Sequence, residues 1–222
     1  SMSLLFLANT FIKYKKGKLM ALIVDHCIRK NSKEEAKLIS TYLDKNNINS
    51  QILTVNKDKV SKKSMNEARN NRYNLLTDFC IKNNILHLFI AHHKDDNLET
   101  FLNRKIAGSD FYGLKSMSEF SLYNKVCIIR PLLNFSKETL LGYNKKNKIE
   151  YINDPSNFNL DYTRPQIRSF LENSDQKTIK EINKDFDNIL FYSPYFIQMI
   201  YEILLKNIVK IDRKKIVVSL HN

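Results

Sequence analysis

Cysteine pairs, long apolar runs and a secretory signal are all missing from this 222-residue chain. The three cysteines, Cys27, Cys80 and Cys127, are widely spaced and form no Cys-x-x-Cys pair. Neither a zinc site nor an iron–sulfur site is therefore predicted, and the odd number favours reduced thiols. The apolar runs are far shorter than the ~20 residues that cross a bilayer, and the N-terminus does not have the order of regions that marks a secretory signal. We expect a cytoplasmic protein with no membrane partner.

The chain has fewer acidic than basic residues. It contains 23 Asp and Glu and 36 Lys and Arg, which gives a formal net charge of +13. The lysines and arginines fall in local groups, at 13–18, 57–63, 145–148 and 213–215. An excess of this size favours a polyanionic partner, and nucleic acid is the favoured one. A basic surface that is merely solvated is the alternative.

Predicted strands and helices alternate along the first 150 residues. Buried strands are predicted at 19–25, 51–55 and 85–90, and helices at 4–13, 32–46, 64–82 and from 94 onward, where Ser32 and Ser64 each begin a capping box. Strands that alternate with helices predict right-handed crossovers and an α/β fold with a mostly parallel, doubly wound sheet. Next, a hairpin around Asn124 is predicted at 119–129, and Ser136 is predicted to cap a helix. The chain is predicted to be helical from Arg164 onward, and Pro194 begins an apolar segment.

The segment 91–100, Ala-His-His-Lys-Asp-Asp-Asn-Leu-Glu-Thr, carries the strongest functional signal. Its two histidines stand where a strand ends, and Asp96 and Glu99 lie one turn apart on the following helix. Because ligands bind at the carboxyl ends of strands in open α/β sheets, we expect a site here. The alternative is that Asp95 and Asp96 only complement the helix dipole, which is worth up to ~1 kcal/mol each.

Four further motifs accompany this segment in a fixed order. They are Val24-Asp25-His26-Cys27-Ile28-Arg29, the helix segment Asn66 to Tyr73, Arg130-Pro131-Leu132-Leu133, and Asp154-Pro155-Ser156-Asn157 followed by Tyr162, Arg164, Ile167 and Arg168. With 91–100, which continues to Arg104, Gly108-Ser109 and Gly113-Leu114, they resemble the tRNA(Ile)-lysidine synthetases of the PP-loop ATP pyrophosphatase superfamily. The resemblance covers roughly residues 3–170.

This resemblance implies an adenine-nucleotide alpha-hydrolase-like fold and a ligase activity. ATP would activate C2 of the wobble cytidine, position 34, in an isoleucine tRNA with a CAU anticodon, and free L-lysine would then displace AMP. Pyrophosphate is the other product, and Mg²⁺ would be carried by the nucleotide, with no metal site in the protein. Residues 1–172 would form the PP-loop catalytic domain, and 173–222 a helical linker that begins a C-terminal tRNA-binding region. A homodimer is one option for the oligomeric state.

The resemblance also assigns roles to individual residues for the small substrates. Lysine recognition falls to Asp96 and Glu99, the ATP contacts to Ser1, Asp25, His26 and His92, and catalysis to His92, Asp96, Arg69 and Arg72. Each has a plainer alternative: helix-dipole compensation for the carboxylates, a packed structural histidine at positions 26 and 92 or 93, and surface ion pairs with Glu67 or Asp78 for the two arginines.

For tRNA, the resemblance points to Arg104, Tyr162, Arg164 and Arg168. Arg164 and Arg168 lie four residues apart beside Tyr162, an arrangement suited to holding the RNA backbone while a flipped-out base stacks. The plainer alternatives are a basic helix start that covers a domain joint and, for Arg104, an exposed salt bridge.

The sequence also departs from the family pattern. The superfamily has a Ser-Gly-Gly-x-Asp-Ser loop that wraps pyrophosphate with its backbone N–H groups. This sequence has four glycines, no two of which are adjacent, so it does not contain the loop. Because Ser1 resembles the last residue of that loop, we expect this sequence to lack the first strand and the phosphate loop, and its tRNA-binding region to be truncated. Cys27 replaces a glycine, so a positive φ there would be strained. The other replacements are Ala107 for Arg and Pro165 for Asn.

Two other functions remain open at this point. One is another PP-loop tRNA modifier of the 2-thiocytidine type, a class that usually carries the cysteine pairs missing here. The other is a non-catalytic tRNA-binding relic that kept the basic surface and lost the ATP chemistry.

Overall fold

The computed structural model of the protein describes residues 1–27, 31–55, 65–151, 163–211 and 216–219. In chain order its elements are α1 Met2–Tyr14, β1 Ala21–Asp25, α2 Ser32–Lys45, β2 Ser50–Thr54, α3 Met65–Lys82, β3 His87–Phe89, α4 Lys94–Ile106, α5 Phe111–Leu114, β4 Phe120–Tyr123, β5 Val126–Ile129, α6 Lys137–Lys146, α7 Thr163–Asn173, α8 Gln176–Asn207, β6 Ile208–Ile211 and β7 Ile216–Val218. No helix in these ranges is both long and apolar enough to cross a membrane.

The chain divides into two compact units, each described here by itself. The first comprises Ser1–Asp96 and Ser118–Pro155, and the second comprises Asn97–Met117 and Ser156–Asn222. The sequence-based domain boundary at 172/173 falls at the last residue of α7, and it stays a prediction.

The strands of the first unit confirm the predicted α/β class. Strand β1 pairs with β2 in parallel, with Ala21 opposite Ser50, and β3 pairs with β5 in parallel, with Phe89 opposite Ile129. Strand β4 joins β5 as an antiparallel hairpin. The described strands of this unit thus form two sheets, β1–β2 and β3–β5–β4, where the sequence predicted one.

The hairpin turn was correctly placed by the sequence. Asn124 and Lys125 have φ values of 47° and 68°, and two consecutive residues with positive φ make the tight turn that matches the twist of paired strands. The side-chain amide of Asn124 donates to Asn74 and Thr77 of α3, which ties the turn to that helix.

The first unit packs around two apolar clusters. Leu76 and Cys80, one turn apart on α3, pack with Leu88 of β3 and Val126 of β5. The second cluster contains Ala21, Leu43 and Ile48, which brings α2 onto β1. These contacts pack α3 against β3 and β5, and α2 against β1.

The capping box predicted at Ser32 is wrong, although the helix itself is present. Asn31 occupies the N-cap position and its side chain makes no capping hydrogen bond, so Ser32 is the first helical residue. The Ser32 side chain hydrogen-bonds the Asp25 carboxylate instead. Ser136 does cap α6, accepting a 3.1 Å bond from the Thr139 backbone N–H, whereas Ser64 lies outside the described residues.

In the second unit, α4, α7 and α8 enclose a core of Phe101, Leu102, Ile167 and Phe186. Pro194 lies inside α8 and does not open it. A proline at this position removes the N–H that would bond the Leu190 carbonyl. The Ser193 hydroxyl donates to the Ile189 carbonyl at 2.7 Å and lies 3.3 Å from the Leu190 oxygen. The β6–β7 pair was not predicted.

Candidate active site

The predicted catalytic histidine, His92, follows β3 and is 9% exposed. Its Nδ1 atom accepts a hydrogen bond of 3.2 Å from Nε of Arg130, the residue that follows β5. Arg130 is 6% exposed, and its Nη1 also donates to the Ser118 carbonyl at 2.8 Å and to the Ser121 hydroxyl at 2.9 Å. Because β3 and β5 are parallel neighbours, their carboxyl ends bring the two side chains together.

The pKa of His92 is lowered to about 4, and burial is the main cause. The Asp96 carboxylate acts to raise this pKa, whereas the guanidinium groups of Arg130, Arg69 and Arg72 act with burial to lower it. His92 is therefore neutral at physiological pH. Asp96, Arg69 and Arg72, which the sequence predicted as catalytic together with His92, are thus near enough to influence its charge, and their catalytic role stays a prediction.

Arg69 and Arg72 project from α3 and are held by an aromatic side chain. Their guanidinium carbons lie 5.5 Å and 5.7 Å from the centre of the Tyr73 ring, within the range of cation–π attraction. Tyr73 is buried and its ring lies 5.4 Å from that of Tyr123 on β4. The two charges are thus anchored to the first unit.

Asp95 and Asp96, at the start of α4, both lie beside His93. Asp96 accepts from the His93 backbone N–H at 3.1 Å, and its Oδ2 lies 3.4 Å from Nε2 of His93. Asp95 lies 3.3 Å from Nδ1 of His93 and accepts from the Lys137 backbone N–H at 2.8 Å. The hydrogen bond from His93 is the main cause that lowers the pKa of Asp95 to about 2, against the effect of burial. Asp95 therefore ties α4 to the first residue of α6.

Asp25 ends β1 as a buried carboxylate, and its contacts are local. Burial acts to raise its pKa, but hydrogen bonds from Ser32 and from Cys27, together with nearby His26, lower it overall. The Cys27 backbone N–H donates to Asp25 at 2.9 Å, and Cys27 has a φ of 54°. The sequence-based concern about this position is therefore confirmed, because Cys27 occupies the left-handed region.

Ser1 precedes α1 as its N-cap residue, without a side-chain capping bond. The Asp96 carboxylate is the charged side chain that acts on Ser1. Ser1 thus lies in the electrostatic surroundings of Asp96.

The charged residues of the second unit pair with one another. Glu99 of α4 is buried and accepts two bonds from Arg168 of α7, at 2.5 Å from Nε and 3.1 Å from Nη2. Arg164 of the same helix lies 3.5 Å from the Thr100 hydroxyl. Such a bidentate pair is among the stronger hydrogen-bonded contacts in proteins.

Arg104 donates to the carbonyls of Gly113 and Ser116, so it holds the segment that follows α4. Tyr162 lies outside the described residues. The tRNA-binding role assigned to Arg104, Tyr162, Arg164 and Arg168 stays a prediction.

Arg130 was noted in a motif but given no role by the sequence. A usable signal was present, since Arg130 follows a strand that hydrogen-bonds in parallel with the strand before His92. Among the described residues, no group of three or more His, Cys, Asp or Glu side chains could hold a metal ion.

Comparison with known families gives one match that covers most of the chain. The model of the PP-loop domain family matches residues 1–174.

Curated relatives point the same way. A tRNA(Ile)-lysidine synthase from Wolbachia sp. subsp. Brugia malayi (strain TRS) is 39% identical over 161 residues, which are 72% of this chain and 37% of the relative. The tRNA(Ile)-lysidine synthase from Orientia tsutsugamushi is 37% identical over 78% of this chain and 39% of the relative. That from Rickettsia prowazekii is also 37% identical, over 82% of this chain and 41% of the relative. The chain thus spans about two fifths of the length of these relatives.

Among solved structures, the chain is similar to a U34-tRNA thiolase from Methanococcus maripaludis. The TM-score is 0.64 over 86% of this chain and 70% of the other, at 20% sequence identity. At this identity the likeness establishes a shared fold only.

Proposed function

From the premise that this chain belongs to the PP-loop domain family, we propose that it carries the catalytic region of a tRNA(Ile)-lysidine synthase. The reaction is the ATP-dependent ligation of L-lysine to C2 of cytidine 34 in an isoleucine tRNA with a CAU anticodon. The observation that carries this proposal is the group of His92, Asp96, Arg69, Arg72 and Arg130 at the carboxyl end of β3, within a region up to 39% identical to tRNA(Ile)-lysidine synthases.

The activation step suits the charges around His92. The C2 oxygen of the cytidine bonds to the α-phosphorus of ATP, and pyrophosphate leaves with the electrons of the broken bond. Negative charge on the phosphate oxygens is stabilised by Arg69 and Arg72, because fixed cations in a partly buried site act more strongly than in water. Asp25, His26 and Ser1 are the proposed contacts for the rest of ATP, and Mg²⁺ would arrive with its phosphates.

The transfer step needs a cation site for lysine. The amine of lysine attacks C2, and AMP leaves with the former C2 oxygen. Asp96 and Glu99, three residues apart in α4, are the proposed partners of the lysine ammonium groups. The Asp96 side chain is 16% exposed and reachable, whereas both carboxylate oxygens of Glu99 accept from Arg168, so Asp96 is expected to carry the larger part of recognition.

Incorporation of labelled lysine into tRNA(Ile) tests the proposal. Because this sequence lacks the phosphate loop, the assay uses a form of the protein in which Ser-Gly-Gly-x-Asp precedes Ser1. That form is expected to transfer lysine only when ATP is present, with one AMP released per lysine. Asp96→Asn, which keeps the shape and removes the charge, should lower incorporation at least 100-fold and leave tRNA affinity within about 2-fold. Glu138→Gln, on the exposed first turn of α6, is the matched control and should retain activity.

Two other outcomes would replace the proposal. AMP release that depends on a sulfur donor and not on lysine would favour a thiolating enzyme. Binding of tRNA with no ATP turnover at all would favour a non-catalytic tRNA-binding protein.

A further inference from the structure

The contact between Arg130 and His92 fixes which nitrogen of the imidazole carries its proton. An arginine side chain is always protonated and can only donate. Since Nε of Arg130 points at Nδ1 of His92 across 3.2 Å, Nδ1 must supply a lone pair. A neutral imidazole that accepts at Nδ1 has its proton on Nε2.

We propose that Arg130 is a positioning residue that locks His92 in the neutral Nε2–H tautomer, so that His92 serves the reaction as a hydrogen-bond donor and not as a general base. The tautomer follows from the geometry alone. Its use in catalysis rests on the proposed function.

The surroundings of Arg130 hold its guanidinium in place for this role. The main chain at Ser118 and the hydroxyl of Ser121 accept from Nη1, which orients Nε towards His92. The side chains of His92 and Arg130 are more than nine-tenths buried, so little water can reach Nδ1 of His92 and replace this hydrogen bond. A partner that orients an active-site histidine in this way sets its tautomer.

Among the described residues, three arginines and one carboxylate influence the charge of His92. Arg130, Arg69 and Arg72 disfavour a positive imidazole, and Asp96 favours it. Burial adds to the arginines, and together they outweigh Asp96, since the pKa of His92 falls to about 4. Protonating His92 would also turn Nδ1 into a donor facing the donor of Arg130.

The chemical consequence concerns which proton transfers His92 can perform. A neutral Nε2–H is a good hydrogen-bond donor to an oxygen that gains negative charge, such as a phosphate oxygen or the departing C2 oxygen. The same atom has no lone pair available, so it is unable to remove a proton from the lysine amine. Deprotonation of lysine must then use another group or water.

Long-range ¹H–¹⁵N NMR of the histidine side chains tests the tautomer directly. The chain has five histidines, and loss of one signal set in His92→Gln identifies His92. The expected spectrum shows the Nε2–H tautomer unchanged from pH 5.5 to 8. An Nδ1–H tautomer, or a titration midpoint near 6.5, would overturn the proposal without any bearing on lysine incorporation.

Three variants separate positioning from simple packing. Arg130→Met should give mixed tautomers, a higher midpoint for His92 and at least a 10-fold lower kcat, with the KM for lysine within about 2-fold. Arg130→Lys keeps the charge and can still only donate, so the titration midpoint of His92 should stay low and the Nε2–H tautomer should be retained. Ser121→Ala removes one bond to the Arg130 guanidinium but not its contact with His92, so neither the midpoint nor the tautomer should change. If Arg130→Met fails to fold, the wild-type spectrum and Arg130→Lys still decide the question; an Nδ1–H tautomer in Arg130→Lys would contradict the lock.

Discussion

At the scale of single residues, Cys27 lies in a conformation that disfavours its side chain. A residue with a Cβ atom pays ~1–2 kcal/mol in the left-handed region, and Cys27 has a φ of 54°. The strain is tolerated because the Cys27 backbone N–H satisfies the buried Asp25 carboxylate. Local strain of this kind next to a candidate site places the main chain where the site needs it.

Cys27→Gly is therefore expected to stabilise the protein. The gain should be ~0.5–1 kcal/mol, because glycine adopts positive φ freely but loses more chain entropy on folding. Urea unfolding curves measure the change. Cys27→Ala is the matched control: it loses the same thiol yet keeps a Cβ, so its stability should not rise. Equal stabilisation by both variants would mean that the thiol, and not the backbone, is unfavourable.

His92 gives the protein a pH-dependent stability with a definite sign. Its pKa falls from the ordinary 6.5 to about 4 in the folded state, so the unfolded chain binds the proton first as the pH drops. Above pH 6.5 His92 is neutral in both states, so its lowered pKa does not affect the free energy of unfolding. Between pH 6.5 and 4 the free energy of unfolding should decrease, by ~3 kcal/mol at most.

The control for this pH effect is another histidine. His92→Gln should flatten the curve of unfolding free energy between pH 6.5 and 4, whereas His87→Gln, at an exposed position on β3, should leave it unchanged. A wild-type curve without this acid decrease would refute the burial of a neutral His92.

At the scale of helices and strands, two ion pairs of α4 differ in burial and should therefore differ in how much they contribute to the free energy of unfolding. The side chains of Glu99 and Arg168, which link α4 to α7, are 5% and 31% exposed. Lys105 and Asp185, which link α4 to α8, are 51% and 54% exposed. Arg168→Met leaves a buried carboxylate without its cation and should cost ~3 kcal/mol. Lys105→Met should cost less than ~1 kcal/mol, because exposed pairs contribute little.

A double variant decides whether the buried carboxylate is the cause. Glu99→Gln combined with Arg168→Met should recover most of the lost stability in the same unfolding experiment. If Arg168→Met is harmless alone, the pair is not structural, and a role for Arg168 in tRNA binding gains support. Affinity for tRNA in the same variants separates the two roles.

The sequence predicted local features better than contacts between distant residues. The hairpin at Asn124, the Ser136 cap and the strand end before His92 follow from residue types that act within a few positions. Ser32 failed as a cap because the Asp25 carboxylate, on another element, takes its hydroxyl. Arg168 and Glu99 are 69 residues apart, and no local pattern shows that the two will pair. The β6–β7 strand pair was not predicted, because its residues continue the apolar spacing of α8.

At the scale of the whole molecule, the charge of +13 should determine how the proposed tRNA partner binds. If about six phosphates are contacted, the logarithm of the affinity should fall with the logarithm of salt concentration at a slope of about −4 to −5. Filter binding of tRNA(Ile) between 50 and 300 mM salt measures this slope. Binding that does not respond to salt would exclude a polyanionic partner held by these charges.

The end of α1 is the part of the surface expected to contribute most to that slope. Lys13, Lys15 and Lys16 are exposed there beside Phe11 and Tyr14, and no acidic residue lies between 2 and 24. Exposed aromatic rings among lysines are typical of surfaces that hold single-stranded nucleic acid. Replacing the three lysines with alanine should reduce the slope by about 2.

Three exposed lysines of α2 serve as the charge-matched control for this experiment. Lys33, Lys37 and Lys45 alternate with Glu34, Glu35 and Asp44, so the field near α2 is weaker and a phosphate gains less there. Their triple alanine variant should change the slope by less than about 1. Since both variants remove three charges, equal effects would show that tRNA responds to net charge alone, and a larger effect at α1 would locate the contact on that helix.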